Sequence, residues 1–195
     1  MPRALPLFLA LLAACAPEPD GARAPASLPA PDPAVAPSAP PTDAASASAD
    51  STEWTVGVVD LPASGDAQAV LRGVRAARHV GYDRVTFEFE SARPAVHVEY
   101  VERPVRACGS GEAVDLPGEG WLLVRFTGAR AHTEAGEPIV DPGRRDLGLP
   151  TVLTLVRTCD FEGEVAWVAS VSAPTAVRAT ALDGPPRVAV DVRHE

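Results

Sequence analysis

No lysine and no asparagine occur anywhere in this 195-residue chain, so each of its 17 basic residues is an arginine and no N-glycosylation sequon exists. Basic stripes are missing too. Acids outnumber arginines 26 to 17, for a formal net charge of -9. Binding a phosphate backbone requires clustered cations, so nucleic acid is not an expected partner. There is no phosphate-binding loop, no dinucleotide fingerprint and no Gly-x-Ser-x-Gly nucleophile elbow. The four histidines (79, 97, 132 and 194) include no pair at helical i,i+4 spacing. A zinc site needs three or four converging ligands, so no metal and no cofactor is expected. Beyond the first fourteen residues no long apolar run returns, and a spanning helix needs about 20 apolar residues.

The amino terminus does carry a signal. Arg3 gives a short positive start, Leu5 to Ala14 form an apolar run broken only by Pro6, and the run ends in Leu12-Ala13-Ala14-Cys15. A basic start, a short apolar segment and small residues at the end are the three parts of a signal peptide. Leucine, two small residues and a cysteine resemble the lipobox of bacterial lipoproteins. The resemblance implies that residues 1–14 are removed and that Cys15 is lipidated with a diacylglycerol, and often acylated on its new amino group. An ordinary secretory signal with an incidental cysteine is the alternative.

Residues 16 to 51 are built almost wholly from Ala, Pro, Ser and Asp, with nine prolines and no aromatic residue. Such a composition cannot bury enough apolar surface to offset the entropy of ordering. The expectation is a disordered Pro/Ala-rich linker over 15–52, in extended geometry reaching on the order of 100 Å. Subtracting it leaves one domain, 53–195, long enough for a single core.

That domain reads as all-β. Val85, Phe87 and Phe89 alternate with Thr86, Glu88 and Glu90. Val96, Val98 and Tyr100 alternate with His97 and Glu99. Leu122, Val124 and Phe126 alternate with Leu123, Arg125 and Thr127. Val165, Trp167, Ala169 and Val171 show the same period, as do Val188, Val190 and Val192. Further strands are expected at Trp54 to Val59, Val70 to His79, Val152 to Thr158 and Thr175 to Leu182, with Gly, Pro and Asp clusters as turns. Asp66 to Val80 also fits an amphipathic helix through Leu71, Val74 and Ala77; strand is the favoured choice. About nine short strands with one apolar face each imply a two-sheet β-sandwich.

The order of motifs resembles the AMIN-like domain of bacterial secreted proteins and lipoproteins. The resemblance rests on Val74-Arg75, His79, Gly81-Tyr82-Asp83-Arg84-Val85-Thr86-Phe87-Glu88-Phe89, Val98-Glu99-Tyr100-Val101, Gly109-Ser110-Gly111-Glu112, Ala131-His132-Thr133-Glu134-Ala135-Gly136, Asp160-Phe161-Glu162-Gly163, and the closing Pro185-Pro186-Arg187-Val188-Ala189-Val190-Asp191-Val192. It covers about residues 54 to 193 and implies a β-sandwich that localises to the cell envelope by binding it, peptidoglycan included. Cys108 and Cys159 depart from the family pattern. With Cys15 lipidated they remain as an even pair in an oxidising compartment, so a Cys108–Cys159 disulfide is expected. Two buried thiols, or exchange with another chain, are the alternatives.

Four residues stand out as candidate ligand contacts. Arg84 and Arg187 can grip carboxylates as planar forks, or pair with acids across the sheet. Trp121 is out of phase with Leu122, Val124 and Phe126 and so is expected to be more exposed than Trp167, which falls in the core phase. His132 lies in a Gly/Pro-rich loop with Glu134 and Glu137. No catalytic residue is assigned. The expected protein is a monomeric, non-catalytic, lipid-anchored binding module on the exported side of a bacterial membrane, recognising peptidoglycan or an envelope protein. A small envelope hydrolase using His132 and nearby acids, or an assembly factor for another envelope protein, are the alternatives.

Overall fold

A computed structural model describes residues 52–195. The expected signal peptide, Cys15 and most of the expected linker lie outside the described residues. One sheet has six strands in the order β1 (Val59–Leu61), β4 (Ala95–Val101), β5 (Gly120–Thr127), β9 (Glu164–Val171), β8 (Val152–Phe161) and β7 (Arg145–Asp146). The other has five, in the order β10 (Val177–Leu182), β11 (Arg187–Arg193), β3 (Tyr82–Glu90), β2 (Ala69–His79) and β6 (Ala129–Arg130). All pairings are antiparallel except β2 with β6. The two sheets form a sandwich, and no helix occurs among the described residues.

Period-2 alternation determines which side chains meet between the sheets. Phe87 and Phe89 of β3 face Phe126 of β5, edge to face, with ring centroids 4.8 and 5.1 Å apart, and Trp167 of β9 lies 6.2 Å from Phe87. Such pairs add about 0.5–1.5 kcal/mol each beyond the area they bury. Val96, Val98, Leu122, Val124, Val165, Val188, Val190 and Val192 complete this core. Trp167 is fully buried in it, in phase with its strand.

The choice between helix and strand over 66–80 resolves as strand, β2 at Ala69–His79, and β2 and β3 form a hairpin in which His79 pairs with Tyr82. Its two-residue loop is Val80-Gly81, with Gly81 at φ 83°. This geometry suits a tight hairpin turn and favours glycine. Tyr82 and Asp83 already belong to β3. The strand expected over Trp54–Val59 is corrected: within it Thr55 makes an isolated bridge to Val177, residues 56–58 do not pair, and the ladder begins only at Val59 and runs to Leu61. This stretch leaves the edge of the five-stranded sheet, where Thr52 and Thr55 bond to Ala179 and Val177, and joins the edge of the six-stranded one. The two-residue strands β6 and β7 have no sequence periodicity and were not expected.

Two polar side chains, Asp83 buried and Tyr100 half-buried, tie the sandwich together. Asp83 points inward from β3, and its Oδ2 accepts the backbone amides of Thr151 and Val152 at the start of β8, at 2.7 and 2.9 Å. Tyr100 of β4 donates its hydroxyl to the carbonyl of Thr175 (2.9 Å) and accepts from the Thr175 amide (3.1 Å). Burial raises the Tyr100 pKa above its ordinary value near 10, partly offset by the bond to the Thr175 carbonyl. A raised folded-state pKa means that the native state holds its proton longer than the unfolded chain, so stability falls as pH rises through this range. Chemical denaturation above about pH 10 is therefore expected to show falling stability, with a shallower fall in Tyr100→Phe. An identical slope in the variant would refute the assignment.

Candidate functional site

The outer face of the six-stranded sheet is covered over only part of its area. Strand register places Val101, Trp121, Ser170 and Thr154 in one row, and Glu99, Leu123, Val168 and Val156 in the next. Residues 102–119 fold back over these rows and build a second apolar cluster, in which Val105 and Leu116 pack with Val156 and Val168, flanked by Val101, Val114, Trp121 and Leu123. Strand β9 is thus buried on both faces. The cover returns to the sheet at Gly118, whose φ is 81° and where a Cβ would lie 2.1 Å from the Val171 carbonyl oxygen. Only glycine fits that approach.

Cys108 and Cys159 are joined in a disulfide, with Cα atoms 5.2 Å apart, and the Cys108 amide bonds to the Thr158 carbonyl at 2.9 Å. This bond lies at the margin of the cover. Cys159 stands in the row that continues through Ala166, Arg125, His97 and Asp60. The row beyond it runs Phe161, Glu164, Thr127 and Ala95.

Those last two rows lie outside the cover, and their β1–β9 part lines a groove of about 620 Å³. Its polar lining is Asp60, His97, Arg125, Thr127 and Glu164; Leu61, Pro62, Ala95 and Val96 supply the apolar part. His97 is fixed between two carboxylates, with Nδ1 2.7 Å from Asp60 Oδ1 and Nε2 3.3 Å from Glu99 Oε1. Arg125 and Glu164 have no hydrogen-bond or ion-pair partner among the described residues. At the end of the outer row Phe161 is 63% exposed, a large side chain left in water beside charged groups. A mixed-charge groove with an unengaged guanidinium and carboxylate is suited to binding a polar ligand at fixed points.

The four residues singled out from sequence lie elsewhere and are not brought together. Arg84 is on the outer face of the five-stranded sheet. Its Nε and Nη2 donate to Asp191 Oδ1 and Oδ2 at 2.6 and 2.9 Å, and Arg178 Nε donates to the same carboxylate at 2.8 Å. Asp191 is fully buried, so this Arg178–Asp191–Arg84 ladder crosses β10, β11 and β3 and occupies the Arg84 fork internally. Arg187 shares that face but is only 7% exposed, with Nε 3.3 Å from the Pro185 carbonyl. Trp121 is not an open surface: its ring lies 4.1 Å beneath the Arg103 guanidinium, and its indole nitrogen is enclosed. Alternation correctly puts it on the outer face, but it cannot register the cover that folds onto that face.

His132 is half-buried, with Nδ1 2.9 Å from Asp160 Oδ1. Asp160 also accepts the Ala131 amide at 3.0 Å and pairs with Arg157 at 3.0 Å, fastening the chain after β6 to β8. Glu134 and Glu137 remain exposed and join no cluster of three metal-ligating residues among those described. Ser110 Oγ accepts the Glu112 amide, which makes Gly109-Ser110-Gly111 a turn.

The groove residues Asp60, Arg125 and Glu164 escaped sequence reasoning, as did the exposed Phe161 at the end of the outer row. Alternation in β5 does place Arg125 and Thr127 opposite the core residues, which was the available signal. Their neighbours come from distant strands, and only register reveals them.

The family model described as AMIN-like domain matches residues 69–194, from the first residue of β2 to just past β11. No curated protein and no solved structure matches the chain.

Proposed function

Because this chain belongs to the AMIN-like domain family, we propose that it is a non-catalytic binding module of the bacterial cell envelope, anchored by lipid on Cys15 and held off the membrane by residues 15–52. The family is associated with envelope modules that bind peptidoglycan, and a binding role is consistent with this. The observation that carries the proposal is the extent of the match, which takes in ten of the eleven strands among the described residues. His132 pairs with Asp160, whose carboxylate also takes the Ala131 amide and Arg157, a structural use that fastens the chain after β6 to β8. Cys15 follows an apolar run ending in Leu12-Ala13-Ala14, which supports lipidation and removal of residues 1–14. Two acyl chains hold a protein on a membrane where one is marginal, so a di- or triacylated Cys15 is a lasting anchor. The partner is cell-wall polymer or an envelope protein, and the compartment is the exported side of the membrane.

Full-length protein extracted in detergent is expected to co-sediment with purified peptidoglycan and to release no soluble fragments from it. Release of fragments that stops in His132→Ala would establish a hydrolase instead. No retention at all would remove wall polymer as the partner.

A further inference from the structure

The groove beside β1 presents two charges of opposite sign that the fold leaves unused. Arg125 and Ala166 are register partners, and Glu164 lies two residues from Ala166 on the same strand and face. Arg125 and Glu164 are therefore diagonal neighbours, about 7–8 Å apart at their bases. Both line the groove, and neither has a hydrogen-bond or ion-pair partner among the described residues. The other charged groups of the wall are engaged with one another, His97 with Asp60 and Glu99. This network sets one side of the groove and leaves the guanidinium and the Glu164 carboxylate as its open ends.

We propose that this groove is a binding site for a zwitterionic amino-acid end carried on an envelope peptide, with its carboxylate on Arg125 and its ammonium on Glu164. The proposal rests on the binding-module reading above and gives it a ligand chemistry. A guanidinium takes a carboxylate as two parallel charge-assisted hydrogen bonds. The ammonium on the same carbon then falls towards the diagonal carboxylate. A purely anionic ligand would engage Arg125 but meet Asp60 and Glu164 as like charges, and a purely cationic one would leave Arg125 unused. The zwitterion satisfies both open ends. Thr127 is two residues from Arg125 on β5 and pairs in register with Glu164, so its hydroxyl borders both groups. Leu61, Pro62, Ala95 and Val96 provide the apolar floor for the carbon chain that carries the zwitterion.

The test uses full-length protein in detergent and a synthetic tripeptide ending in meso-diaminopimelate. Its main-chain ends are capped, so that the distal ammonium and carboxylate of the side chain are its only zwitterion. Two companion peptides have that distal carboxylate amidated or that distal ammonium acetylated. Calorimetry is expected to show binding of the first peptide and a loss of about tenfold or more on either block. Arg125→Gln should abolish the penalty for amidation alone, and Glu164→Gln the penalty for acetylation alone, since each variant removes one partner of a cycle. Equal binding of all three peptides, or a variant that weakens all three alike, would overturn the assignment. So would free alanine binding as tightly as the tripeptide, because the site would then serve free amino acids. Retention on peptidoglycan that Arg125→Gln leaves intact would refute the groove but not the binding role; no retention of the unaltered protein would refute the role itself.

Discussion

Replacing Asp83 by alanine is expected to cost the sandwich about 4 kcal/mol, a large share of the stability of an ordinary domain. The carboxylate is fully buried and receives the amides of Thr151 and Val152, while its other oxygen lies 2.8 Å from His194 Nε2. Thr151 and Val152 are themselves buried, so no water replaces the lost acceptor. Each orphaned buried donor costs about 1–3 kcal/mol. The effect is larger than that of a surface pair because Asp83 belongs to the five-stranded sheet and the amides to the other one. Asparagine retains an oxygen for the amides and should cost less than half as much. Urea unfolding reads this as a drop in midpoint at constant slope. A loss below about 1 kcal/mol for Asp83→Ala would show that the amides find another acceptor.

Opening the Cys108–Cys159 disulfide is expected to have a second large effect, with a local and a global part. The bond spans 51 positions, so its constraint on the unfolded chain is worth about 4 kcal/mol on the chain-entropy model. Locally it holds the free flank of residues 102–119 against β8. Without it, the cover is kept on the sheet by the small second cluster, its backbone bonds, the Arg103 guanidinium stacked on Trp121 and the Arg144 bond to the Asp115 carbonyl. Hydrogen exchange in the Cys108→Ala/Cys159→Ala double variant should rise in 102–119 well before it rises in β5 or β9. Tryptophan emission should report the same order, because Trp121 lies under the cover while Trp167 lies in the main core. Uniform exchange across the domain would mean that the cover has no separate stability.

These two predictions also show how far the sequence could be read. Fold class followed from alternation, because one face of nearly every strand enters a single core and the period survives in Val85/Phe87/Phe89 or Val188/Val190/Val192. The pair Cys108–Cys159 followed from counting thiols. Asp83 was legible as part of the family motif but not as a link between sheets, since Thr151 and Val152 are 68 and 69 residues away. Arg84 and Arg187 drew notice as charges in strands, and the same strands bury or pair them. Trp121 shows the opposite limit: its phase is right, but a loop with no periodicity covers it. The groove was invisible because Asp60, His97, Arg125 and Glu164 belong to four strands joined only by register.

The path of residues 52–61 gives the groove a mechanical setting. The chain first bonds along β10 through Thr52 and Thr55, then crosses to β1, where Asp60, Leu61 and Pro62 form one wall of the groove. Tension applied ahead of Thr52 therefore loads the Ala179 and Val177 contacts first and the β1–β4 pairing next. A ligand held by β5 and β9 while packed against β1 bridges that line of force. Peeling the first strand and emptying the groove become the same event, so occupancy would raise the load at which the domain begins to come apart.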